Sequence, residues 1–260
     1  VAWSRLQSAS ATSSEGGLSG TVAATFGTNL TAGSKIIAAV AVNAATGGVD
    51  EVISVKDGAG NSLTELASNS GGAGGGWTEL WAMDTPAGDA GTKPTITATL
   101  GAVADSYGAT ILIQEVSGLL AGNTTAMLDG TAGVNHGSST GPATSGSYSS
   151  TASSEYLVAV YGDVGNGVTV TDSSGYSADP NEVNASNNAT LLVNYKNSGN
   201  TSESASFTLG GTAEWSVLLV AFKLGGPVIT SGPLLGLQGL VQAPAVVASV
   251  SGWRNAGHSR

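Results

Sequence analysis

The chain contains no cysteine, which removes disulfide frameworks and thiolate metal sites together. Basic residues are scarce: 8 Lys and Arg stand against 18 Asp and Glu, for a net charge of −10. They are scattered singly, so no basic stripe can track a phosphate backbone, and nucleic acid is excluded as an expected partner. Charged residues make up 10% and hydrophobic residues 41%, a balance too apolar for a disordered chain. Yet no stretch reaches the roughly 18 uninterrupted apolar residues of a membrane span, and no membrane partner is expected.

Chemistry-bearing patterns are equally sparse. The two histidines, His136 and His258, fall in a linker and at the tail, and their spacing matches no zinc arrangement. There is no G-x-S-x-G elbow, no Walker A loop and no G-x-G-x-x-G opening a helix. The sequence therefore predicts no enzyme, no metal and no cofactor. The start, Val1 to Gln7, lacks the charged and apolar regions of a signal peptide. A leader was either removed or never present, and Val1, a small residue of the kind left by initiator-Met trimming, favours synthesis in the cytoplasm.

What is present is a strand pattern that occurs twice. Lys35–Val42 resembles Glu155–Gly162, Val52–Asp57 resembles Gly167–Asp172, Trp77–Met83 answers to Ala189–Tyr195, and Ala109–Val116 to Ser216–Lys223, in the same order. Short β-branched or alternating runs separated by Gly, Asn, Asp and Ser recur, and no helical stripe appears before residue 234. The 39 glycines supply turns. Strands are expected at about 20–27, 35–43, 51–56, 62–67, 76–83, 93–100 and 107–117, then at about 143–150, 154–162, 167–172, 188–196, 203–210 and 214–224.

The predicted fold is all-β: a jelly-roll-like antiparallel β-sandwich of about twelve strands over residues 1–226. Its pseudo-repeated halves lie at about 20–118 and 141–225, with a linker at 119–140. The halves either form separate sandwiches or interleave into one larger sandwich. The runs at 36–43, 109–116, 156–161 and 216–222 are apolar on both faces or nearly so. Such strands belong in sheets covered on both sides, which favours the single sandwich.

After Lys223 the composition changes. Residues 227–260 carry Leu234, Leu235, Leu237, Leu240, Val241, Val246, Val247 and Trp253 and no acidic residue. An arm this apolar would aggregate if left bare. It either packs along its own domain or anchors the chain on another copy or another protein.

One run offers a binding surface. Strand alternation puts Trp77, Glu79 and Trp81 on one face, with Thr78, Leu80 and Ala82 on the other. Two indoles flanking a carboxylate suit a glycan platform, where rings stack on sugar faces and the acid accepts hydroxyl hydrogen bonds. The competing and favoured reading is that both indoles fill the core or cover a sheet edge. Glu79, Glu115 and Glu214, on or beside strands, are the acids a sandwich glycosidase would need. Asp50, Glu51, Asp57, Asp163, Asp172 and Asp179 are turn acids that default to solvated turns over calcium.

The order of Lys35-Ile36-Ile37-Ala38-Ala39-Val40, the turn Val55-Lys56-Asp57-Gly58-Ala59-Gly60-Asn61, Leu80-Trp81-Ala82, Glu115-Val116-Ser117-Gly118, Leu128-Asp129-Gly130-Thr131-Ala132 and the closing Trp215 to Lys223 resembles β-sandwich virion proteins of tailed bacteriophages. These are minor tail or head-decorating proteins, particularly in phages of actinobacteria. The resemblance covers about residues 20–224 and supplies no catalytic residue. It implies a virion location and a structural role, with other virion proteins and copies of this chain as partners and contact with a host surface glycan. A secreted carbohydrate-binding module using Trp77 and Trp81 is the main rival, and a calcium-dependent surface adhesin is a third reading.

Overall fold

The structure, a computed structural model, describes residues 2–13, 20–44, 52–70, 76–101, 106–163, 168–183, 189–199 and 202–225. It is all-β with antiparallel sheets. The first half supplies β1 (Ser4–Ser13), β2 (Thr21–Thr25), β3 (Lys35–Ala44), β4 (Val52–Lys56), β5 (Thr64–Ser70), β6 (Gly76–Asp84), β7 (Thr95–Leu100) and β8 (Ser106–Ser117). A 3-10 turn at Thr125–Met127 follows. The second half supplies β9 (Gly133–Ser139), β10 (Ala143–Thr144), β11 (Tyr156–Asp163), β12 (Val170–Thr171), β13 (Ser177–Ala178), β14 (Thr190–Asn197), β15 (Ser206–Leu209) and β16 (Ala213–Phe222).

Each half builds its own pair of sheets. The first gives β1-β8-β3-β6-β5 and β2-β7-β4; the second gives β13-β14-β11-β16-β9 and β10-β15-β12. Read from its own first strand, each half follows the same order, so β1 to β8 stand where β9 to β16 stand. No described sheet mixes strands of the two halves. The halves stack instead of interleaving.

Three apolar seams define four layers. Between the small and large sheets of the first half lie Val22, Ile36, Val40, Ile96, Ile111 and Ile113. Between the two five-stranded sheets lie Ile37, Leu80, Leu112, Val158, Val160, Leu218 and Phe222. Leu157, Tyr161, Phe207, Val217 and Leu219 fill the seam between the sheets of the second half. Alternation explains why the middles of β3, β8, β11 and β16 are apolar at consecutive positions: odd and even positions of each strand serve different seams. Each Leu, Ile or Phe buried this way contributes about 1.5–3 kcal/mol.

The two central sheets approach closely at Gly162, where the facing residues are small. A Cβ on Gly162 would overlap Thr78 Cγ2 and lie 3.2 Å from Ala41 Cβ. Buried hydrogen bonds cross the same seam: Thr110 Oγ1 donates to Ala189 O at 2.6 Å, and Ser216 Oγ donates to Thr78 Oγ1 at 2.9 Å. Tyr156 OH donates to Gln114 Oε1 at 2.8 Å, and Gln114 Nε2 donates to Asp179 Oδ2 at 2.9 Å. At one margin Trp3 packs edge-on against Tyr156, with ring centroids 4.5 Å apart.

The structure departs from the sequence reading in four places, the first being that each half forms its own pair of sheets where a single interleaved sandwich is expected from the sequence. It has sixteen strands among the described residues, against about twelve expected. β1 and β9 are the main additions, and β9 occupies part of the expected 119–140 linker. Both are edge strands rich in Ser, Gly and Ala, so they lack the alternation by which strands are recognised. Finally, the matched runs on β6 and β14 are one residue out of phase. Trp77 and Trp81 pack in the first half's own seam, whereas Ala189, Leu191 and Val193 face the seam between halves. A slip of one residue exchanges the two faces of a strand.

Candidate functional site

Trp77, Glu79 and Trp81 do lie together on one face of β6, but that face is covered by the small sheet of the first half. Glu79 is fully buried and Trp81 is 7% exposed. Trp77 Nε1 donates to Glu79 Oε1 and Trp81 Nε1 to Glu79 Oε2, both at 2.7 Å. The Val52 N–H adds a third bond to Oε1 at 3.2 Å. The trio is an internal clamp: each indole spends its only donor on the carboxylate, and no sugar ring can reach the acid. The surface-platform expectation is corrected accordingly. A buried carboxylate needs donors, and two flanking indoles provide them without water.

Glu115 is likewise buried and occupied, accepting from Gln7 Nε2 at 2.7 Å, from the Thr31 N–H at 2.6 Å and from Ser34 Oγ at 2.8 Å. Glu79 and Glu115 therefore sit in separate donor shells. Among the described residues no group of three or more His, Asp or Glu is arranged to hold a metal ion. Asp50, Glu51 and the arm residues Leu234, Leu235, Leu237, Leu240, Val241, Val246, Val247 and Trp253 lie outside the described residues.

The turn acids are structural anchors. Asp57 Oδ1 accepts from the N–H groups of Ala59 and Asn61, at 2.9 and 2.7 Å. Asp179 ties the halves together: it accepts from Ser8 Oγ at 2.6 Å and faces Arg5 at 3.5 Å. Arg5 in turn lies over the Tyr195 ring.

Three of the acids are paired with a second carboxyl. Burial opposes the charge on Asp57, but the bonds from Asn61 and Ala59 outweigh it and hold the group below its ordinary range. Its neighbour Asp89 is pushed up to about 6 by burial and by Asp57. Burial and Asp172 push Glu182 up to about 8, against bonds from Asn194 and Val193. The third pair is Asp129 and Glu155. Asp129 Oδ1 accepts from Thr151 Oγ1 at 2.5 Å, and Oδ2 accepts from the N–H groups of Thr151 and Ala152. Those bonds outweigh burial and lower its pKa. Burial and the Asp129 carboxyl push Glu155 up to about 7, while Lys223 pulls it back.

Glu155 lies in the wall of a cleft of about 330 Å³ shared with Leu120, Thr151, Ala152, Ser153, Lys223 and Leu224. Its Oε2 and the hydroxyl of nearby Tyr148 are buried without hydrogen-bond partners. Sequence reasoning met Asp129 only as part of a linking run and did not single out Glu155. The two are 26 positions apart, and no spacing rule connects them.

Comparison with protein families, with curated proteins and with solved structures finds nothing similar to this chain.

Proposed function

We propose that this chain is a non-enzymatic structural protein of a phage particle, of the minor tail or head-decorating kind. Residues 1–226 form its displayed body, and residues 227–260 anchor it to other virion proteins or to copies of itself. In this reading each half is a jelly roll. The order β1-β8-β3-β6 facing β2-β7-β4, repeated by β9-β16-β11-β14 facing β10-β15-β12, supports it.

The observation that carries the proposal is the division of labour along the chain. Among the described residues, four layers and three apolar seams make up the body, and Val1–Pro227 is a compact unit in its own right. All 18 acidic residues precede residue 226, whereas the segment beyond it carries Arg254 and Arg260, eight large apolar anchoring candidates and no acid. An apolar, weakly basic segment joined to an acidic body suits docking onto a partner surface. Buried apolar area there adds about 25 cal/mol per Å² before ordering costs. The buried acids support the same reading, since those described above are spent on indoles, turns and neighbouring carboxyls.

The test is deletion of residues 227–260. The truncated chain is expected to stay folded, to remain monomeric by light scattering, and to be missing from particles assembled in its presence. Undiminished incorporation into particles would overturn the assignment of the arm.

A further inference from the structure

We propose that Asp129 and Glu155 share one proton and act as a proton-operated latch, holding the segment that connects the two halves against the foot of β11 and β16.

The latch joins three parts of the chain. Asp129 belongs to the connecting segment, Glu155 immediately precedes β11, and the Thr151 and Ala152 N–H groups that hold Asp129 belong to the loop between β10 and β11. The same connecting segment is stitched to the end of β16. The Asp129 N–H donates to Ala221 O at 3.0 Å, the Leu120 N–H to Lys223 O at 2.8 Å, the Lys223 N–H to Met127 O at 2.9 Å, and the Gly225 N–H to Gly118 O at 2.9 Å. The pair therefore sits at the root from which residues 226–260 continue.

The two carboxyls have unequal surroundings. Asp129 receives two N–H groups and a hydroxyl, which fix it as the permanent anion. Glu155 has its carboxyl beside that of Asp129, near enough for each to act on the other's charge, and its N–H is held by Ser198 Oγ at 3.0 Å. With Oε2 lacking any donor, a negative charge on Glu155 would be unsolvated beside a second one, so the shared proton is what lets the pair close. The other charged or titratable groups facing it are Lys223, whose Nζ donates to Ala126 O at 3.0 Å, and Tyr148, whose hydroxyl is buried. Glu203, which pairs with Tyr148 through its backbone, turns its carboxylate to Lys196 at 2.7 Å. Asp129 is saturated with donors, which favours a proton over a metal ion between the carboxyls. The cleft beside Glu155 gives the proton a route to solvent.

The sign follows from the raised value for Glu155, about 7. Opened, the group titrates in the ordinary range near 4.5. Between those values the opened form binds fewer protons than the closed one, so the latch weakens as pH rises and levels off above 7. Going from pH 5.5 to pH 8.5 should raise the local opening constant about 30-fold.

Hydrogen exchange on the full chain tests this, with intrinsic rates corrected for pH and amides of β3 and β8 as an internal reference. Amides of residues 119–130 and 148–155 are expected to gain the full 30-fold while the reference amides do not. Glu155→Gln should stay closed and lose the pH dependence, and Asp129→Asn should lose it too while opening more at every pH. The inference fails if corrected exchange of the wild type is flat with pH, or if Glu155→Gln retains the wild-type slope. It also fails if millimolar Ca²⁺ closes the segment at pH 8.5 in the wild type but not in Glu155→Gln, since the pair would then be a cation site. None of these outcomes depends on what residues 227–260 bind.

Discussion

Replacing Glu79 tests whether the two indoles around it are a clamp or a binding surface. In Glu79→Ala the Trp81 N–H loses its acceptor inside the core, where a stranded donor costs about 1–3 kcal/mol. Trp77 is only partly buried, so its N–H recovers a water and adds little. Deleting the side chain also opens a cavity between β6 and the small sheet, for about another 1–2 kcal/mol, and the Val52 N–H loses a partner. The sum is about 3–5 kcal/mol, a large share of the 5–15 kcal/mol that typically holds a domain together. Glu79→Gln keeps one carbonyl acceptor but turns an amide donor toward the other indole, so it should cost about 1–2 kcal/mol. Urea denaturation followed by tryptophan fluorescence reads both, and a cycle with Trp81→Phe should return a coupling of about 1–2 kcal/mol. A Glu79→Gln midpoint equal to wild type would refute the clamp. So would a loss of glycan binding in Trp81→Phe with stability unchanged.

Two further perturbations probe the layers and the acids. Gly162→Ala should destabilise by about 1–3 kcal/mol through overlap with Thr78, and Thr78→Ser in the same chain should recover most of that because it removes the methyl and keeps the acceptor for Ser216. No recovery in urea midpoints would mean that the central sheets are not in this register. Asp89→Asn should be near neutral at pH 4 and stabilising by about 1–2 kcal/mol at pH 8. The wild-type group, raised to about 6, gives stability that is lost as pH climbs from its ordinary range through that value. Equal shifts at the two pH values would show that Asp57 and Asp89 do not share a proton.

The central strands were legible because their physics is one-dimensional. Ile36–Val42 and Leu157–Tyr161 are apolar at consecutive positions, which only a strand covered on both faces tolerates, and the layers beside them are what cover them. That same property hid the role of Trp77, Glu79 and Trp81. Alternation correctly put them on one face of β6, yet with both faces buried it could not say that theirs met another sheet. The edge strands β1 and β9 were missed for the opposite reason. A polar strand with one unpaired edge and few β-branched residues looks like a loop until its partner is known, and those partners lie far along the chain, as in Ser4 with Ser117 or Gly133 with Leu219. The Asp129–Glu155 pair depends on three-dimensional proximity alone and left no trace in spacing.

The polar bonds across the central seam explain how two sheets of small apolar residues find one register. Hydrophobic contact between Ala, Val and Leu faces is non-directional and would let the sheets slide. Thr110 on β8 bonds to Ala189 beside β14, and Ser216 on β16 bonds to Thr78 on β6. Since β8 and β16 hold equivalent places in their halves, as do β6 and β14, each half makes the same reach toward the other. That is the pattern of an isologous interface, in which one patch meets its own counterpart about a twofold axis. These two bonds give the seam between the halves an approximately twofold arrangement. Each hydroxyl along it is satisfied, so its polarity costs little while any shifted register would strand it. The asymmetric features, the Glu79 clamp and the Asp129–Glu155 latch, lie away from those two bonds: one is in the first half's own seam, the other where the halves are joined.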